Sequence, residues 1–120
     1  MANNIKECLD ELLQVDGALG AAIVDLKSGV ALGMAGGGVN LEFAVAKNAE
    51  VIRTKIKTMQ SLKIQDKIKD ILISLLKQYH LIRLSEKYPN IFLYFVLDRA
   101  QANLAFARIK LAEVEEKLQI

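Results

Sequence analysis

Seven consecutive apolar residues, Ile91-Phe92-Leu93-Tyr94-Phe95-Val96-Leu97, set the strongest limit on what this chain can fold into. A strand with one wet face alternates polar and apolar residues. A run without alternation must be covered on both sides, so it belongs in the middle of a sheet with helices above and below. Ala18-Leu19-Gly20-Ala21-Ala22-Ile23-Val24 has the same character, and its small residues let a helix approach closely. Two such strands call for an α+β layer structure.

The other segments fit that plan. Ile5, Cys8, Leu9, Leu12 and Leu13 have the spacing of an amphipathic helix over 5–13, with Asn4 and Glu7 placed as a capping box. Asp25 to Gly29 reads as the turn of a hairpin that continues through Val30–Met34. From Asn40 to Leu62, Leu41, Val45, Ala49, Ile52, Ile56 and Met59 trace one face of a long helix capped by Asn40. Ile71–Leu76 and His80–Leu84 form a second hairpin around Lys77-Gln78-Tyr79, with Leu81, Arg83 and Ser85 on one face and His80, Ile82 and Leu84 on the other. A last helix carries Leu104, Ala107, Leu111, Val114 and Leu118, with its cap expected at Asp98. The order is α-β-β-α-β-β-β-α, in one domain spanning 1–120.

Gly36-Gly37-Gly38 before a helix raises the question of phosphate binding. A Walker loop needs Lys and Ser or Thr directly after its last glycine, and Val39 and Asn40 stand there instead. A dinucleotide site needs a parallel βαβ unit, whereas a hairpin precedes this helix. The triplet therefore reads as a flexible hinge. One histidine, His80, and one cysteine, Cys8, are too few for a His/Cys metal site, and Cys8 falls in an apolar stripe that suits packing better than nucleophilic attack. No nucleophile–base pair or carboxylate pair is evident, so neither catalysis nor a cofactor is expected. The aromatic residues lie in an apolar strand and not among basic ones, which speaks against an RNA-binding sheet. No segment has the length of a membrane span, and the single cysteine suits a reducing, cytoplasmic setting.

Charge is nearly balanced at +2 but unevenly placed. Arg53, Lys55, Lys57, Lys63, Lys67 and Lys69 are opposed within their segment only by Asp66. The cluster is either an ordinary solvated surface or a face that steers an acidic partner, with Arg53, Lys57 and Lys63 as its candidates. Asn48 lies in the stripe of the long helix and Phe43 projects from its opposite side. Together they mark a face that meets another chain, or else a locally satisfied amide and a ring tucked against the glycine loop. The strand Ile71–Leu76, flanked by charges, is expected at the sheet edge, where its free backbone groups need shielding or a partner.

In order along the chain, LDELLQVDGALGAAIVDLKSG, DILISLLKQYHLIRL and FLYFVLDRAQANLAFARIKL resemble the roadblock family of dynein light chains and its bacterial relatives. The resemblance implies a five-stranded antiparallel sheet with the long middle helix on one face and the two terminal helices on the other. It also implies homodimers or heterodimers that pair their middle helices and third strands, and a role in binding or regulating small Ras-like GTPases or in scaffolding motor and signalling complexes. Carried onto this chain, it places the seam at Asn40–Leu62 and Ile71–Leu76, with Phe43, Asn48, Ile52, Ile71 and Ile73 as candidate contacts. The expected function is that of a non-enzymatic homodimeric module. The alternative is a small-molecule sensor with a pocket between the sheet and the middle helix.

Overall fold

A computed structural model describes residues 3–120. The chain forms α1 (Ile5–Leu13), β1 (Ala18–Asp25), β2 (Ala31–Gly36), α2 (Leu41–Ser61), β3 (Asp70–Ser74), β4 (Gln78–Leu84), β5 (Ile91–Asp98) and α3 (Leu104–Lys117). All strand pairs are antiparallel and the sheet order is β2-β1-β5-β4-β3. The two strands without polar alternation, β1 and β5, lie side by side in the interior, where Ala21 to Val24 and Phe92 to Leu97 are buried.

Alternation along these strands sorts their side chains into two cores. Ala21, Ile23, Leu81, Leu93, Phe95 and Leu97 meet Leu9 and Leu12 of α1 and Ala107, Leu111 and Val114 of α3 on one face. Ala22, Val24, Ile82, Phe92, Tyr94 and Val96 meet Leu41, Val45, Ala49 and Ile52 of α2 on the other. This is the arrangement implied by the resemblance. Arg83 and Leu81 do share a face: the Arg83 guanidinium reaches Glu115 of α3 at 3.0 Å, both side chains largely buried. Removing one member of such a pair strands the other charge, at a cost of about 3 kcal/mol or more. Cys8 is buried in the first core, and burial pushes its thiol pKa up, which keeps it protonated and unreactive.

The helix ends partly depart from the sequence reading. Asn40 does cap α2, accepting the Phe43 N–H at 3.2 Å. Asn4 makes no side-chain cap on α1; its amide instead donates to the Lys117 carbonyl and accepts the Gln119 N–H, tying the helix start to the chain's end. The cap of α3 is Asn103 and not Asp98, because Asp98 is held in the sheet by the Gly17 carbonyl and its own carbonyl accepts Ala102 N–H. The second hairpin turns at Leu75-Leu76-Lys77, earlier than the polar link suggests. Ser74 pairs with Tyr79, and Leu75 N–H closes the turn on Gln78 O, leaving Leu76 98% exposed.

The glycine triplet is not a loose hinge. Gly36 and Gly38 have φ of +78° and +86°, a region that L side chains disfavour, and Gly37 N–H donates to Leu19 O at 2.7 Å. A Cβ at Gly36 would run into the Leu19 carbonyl, and one at Gly20 into that of Gly37. Gly20 and Gly36 let the end of β2 pair with β1 at close range, whereas a Cβ at Gly37 would meet nothing within 4 Å.

Candidate functional site

The sheet has two outer strands, β2 and β3. Beside β3 lies a partly bare trough. Ala44, Asn48, Val51 and Lys55 succeed one another by four, three and four residues, so they share one flank of α2, and Leu62 ends that flank beyond the helix. The opposite flank faces β1 and β2: Arg53 donates to the Leu26 carbonyl at 2.6 Å, and Glu42 lines a groove together with Met34 of β2. The free flank therefore faces the β4–β3 side. There Ile71 and Ile73, paired with Ile82 and His80, present half-buried side chains on the sheet face that α2 covers. Val51 is 46% and Leu62 63% exposed, so aliphatic surface on the helix looks across to aliphatic surface on an unpaired strand.

A polar chain runs through the floor of this trough. Gln78 Nε2 donates to Gly38 O at 3.3 Å, Gln78 Oε1 meets His80 Nε2 at 2.8 Å, and Tyr94 Oη meets His80 Nδ1 at 3.0 Å. Donors and acceptors match throughout when His80 is neutral with its proton on Nε2 and Tyr94 donates to Nδ1. Burial lowers the His80 pKa, which favours that neutral form. Burial also raises the pKa of the Tyr94 phenol, against a smaller downward pull from Asn48. Asn48 itself donates to the Ala44 carbonyl at 2.8 Å. Among the described residues no buried side-chain nitrogen or oxygen lacks a hydrogen bond.

The expected contact residues scatter. Asn48, Ile71 and Ile73 gather at the trough. Phe43 is 63% exposed on the outer surface of α2, its ring 5.6 Å from the Lys47 ammonium, and not tucked against the glycine loop. Ile52 is fully buried under the helix and presents nothing to a partner. Of the basic candidates, Lys57 and Lys63 are exposed, whereas the Arg53 guanidinium is spent on Leu26. Lys63 takes a left-handed φ of 58° as α2 ends, with Lys63 N–H on Gln60 O and Ile64 N–H on Met59 O. Val51 escaped the sequence reading because it lies off the apolar stripe, and its position three residues from Asn48 was the available signal. Gln78 escaped because it was placed in the turn. The second core fills the space between α2 and the strands β1, β5 and β4, whereas a groove lined by Met34, Ala35, Gly36, Val39, Leu41 and Glu42 stays open between α2 and the edge strand β2.

No protein-family model matches the sequence, and neither does any curated protein. Solved structures do match. MglB of Myxococcus xanthus superposes with a TM-score of 0.81 at 13% identity, over 94% of this chain and 89% of its own. A Roadblock/LC7 domain from Streptomyces avermitilis gives 0.78 at 10% identity, over 92% and 90%. A further MglB, described as having a tetrameric arrangement, gives 0.79 at 17% identity, over 94% and 83%. At these identities the likeness is one of architecture, and the chain has the roadblock fold.

Proposed function

We propose that the chain is a non-enzymatic interaction module that pairs with a second copy through β3 and the free flank of α2, and that the joined surface receives a small Ras-like GTPase. The observation that carries the reading is the trough: the edge strand β3, which among the described residues has a partner on one side only, carries Ile71 and Ile73 facing the exposed Val51 of α2 and Leu62 just beyond it. A two-fold operation at this edge continues the sheet from β3 to β3 and lays the two α2 helices side by side, covering aliphatic surface and edge backbone together. A stable pair of this kind buries on the order of 1,600 Å² in total. The tetrameric arrangement of one MglB supports self-association, and the family resemblance supports the GTPase as partner.

Mass in solution tests the first half. The wild-type chain is expected to sediment as a dimer. Ile73→Lys, which places an ammonium in the seam at a half-exposed site, is expected to give a folded monomer. A wild-type chain that stays monomeric at high concentration, with freely exchanging β3 amides, would sink the reading. For the second half, a panel of Ras-like GTPases is titrated in both nucleotide states, with binding by the dimer and loss in Ile73→Lys as the expected result.

A further inference from the structure

We propose that the other sheet edge, β2, is a docking site for an extended peptide of a partner protein, one that carries an aliphatic residue next to a lysine or arginine. It lies across the sheet from β3 and does not depend on how copies pair there.

The backbone supplies the first argument. Gly37 spends its N–H on Leu19, and Ala35 pairs with Ala21 in the same register. Hydrogen-bonded and non-hydrogen-bonded pairs alternate in an antiparallel ladder, so Met34 directs its N–H and C=O away from β1. Among the described residues no strand takes up those groups. Natural edge strands commonly discourage pairing with charge or proline. The β2 sequence, Ala-Leu-Gly-Met-Ala-Gly, has neither.

The surroundings supply the second. A groove of about 290 Å³ opens between β2 and α2, and one of about 370 Å³ between β2 and α1; both reach Met34 and Ala35. Consecutive residues of an added strand point to opposite faces, so neighbouring side chains would enter one groove each. On the α1 side Lys6 and Asp10 neutralise each other at 2.9 Å, leaving Ile5 and Leu9 to receive an aliphatic group. On the α2 side stands the Glu42 carboxylate, which among the described residues forms no ion pair. It matches a cation. A second copy paired two-fold through β2 would bring another uncharged strand and another Glu42, and so no cation for this groove.

The test is a charge swap. A fluorescein-labelled nine-residue peptide alternating Lys and Val is titrated with the full chain, beside one alternating Glu and Val. Saturable binding of the Lys peptide below about 1 mM, the weak end of specific contacts, is expected, with slowed exchange at the Met34 amide. Glu42→Lys, at an exposed site, should weaken the Lys peptide roughly five-fold and strengthen the Glu peptide. Lack of saturable binding, equal binding by Glu42→Lys, or binding without protection of Met34 would each overturn the proposal. So would protection of Met34 that grows with protein concentration in the absence of peptide, since that would assign the edge to a second copy.

Discussion

Tyr94 and His80 meet edge-on, their ring planes at 89° and the phenol oxygen 3.0 Å from Nδ1, so that a tyrosine of the central strand fixes the tautomer of a histidine one strand away. The contact stands beneath α2, next to the strand edge where we place self-association. It also has a thermodynamic consequence.

Burial holds the His80 pKa below its ordinary 6.5, while the unfolded chain titrates at the ordinary value. In the window below 6.5 the unfolded state therefore binds more protons than the native state, and stability falls as pH falls. The acidic groups with lowered pKa values, Glu11 through Lys110 and Lys117 and Asp25 through Ser28, respond only at lower pH, since their ordinary values are 4.5 and 3.8. The urea midpoint is expected to drop between pH 7.5 and 5.5, and His80→Gln to flatten that drop. An equally steep profile in the variant would show that His80 is not the titrating group.

The glycine triplet gives a prediction that separates close packing from looseness. Gly36→Ala forces a Cβ into the Leu19 carbonyl at a left-handed φ, and is expected to cost about 2 kcal/mol or more. Gly37→Ala meets nothing within 4 Å and should fall within about 0.5 kcal/mol of wild type. Chemical denaturation of the two variants decides the matter. Equal tolerance at both positions would restore the hinge reading.

Lys57 and Lys63 remain exposed once Arg53 is assigned to the Leu26 carbonyl. If the platform receives an acidic partner, Lys57→Glu with Lys63→Glu should slow association by about tenfold at low salt and by much less at high salt, with thermal stability nearly unchanged. Stopped-flow kinetics with a GTPase that binds the wild-type chain provides the check. Unaltered rates at low salt would remove the basic segment from the docking surface.

Strand and helix assignments were legible because they are written in periodicity. Uninterrupted apolar runs placed β1 and β5 inside the sheet, and the stripe from Leu41 to Ile52 fixed the buried side of α2. Contacts between residues far apart in the chain were not legible. Nothing near Asn4 shows that its amide will close on Lys117 and Gln119, and nothing near Arg53 shows that Leu26 will take its guanidinium. The resemblance names the whole of α2 as seam and so includes Ile52, but Ile52 lies on the apolar stripe that is used up against the sheet.

Sequence alone determined which segments are strands and helices and which faces are apolar, because those properties follow from spacing along a few turns or a few residues. The charged flanks of the third strand already pointed to one sheet edge; only the tertiary structure decided that β2 is the other, which flank of α2 is bare, and why Gly36 must be glycine. Each of these depends on the distance between groups brought together by folding, and no local pattern encodes that distance.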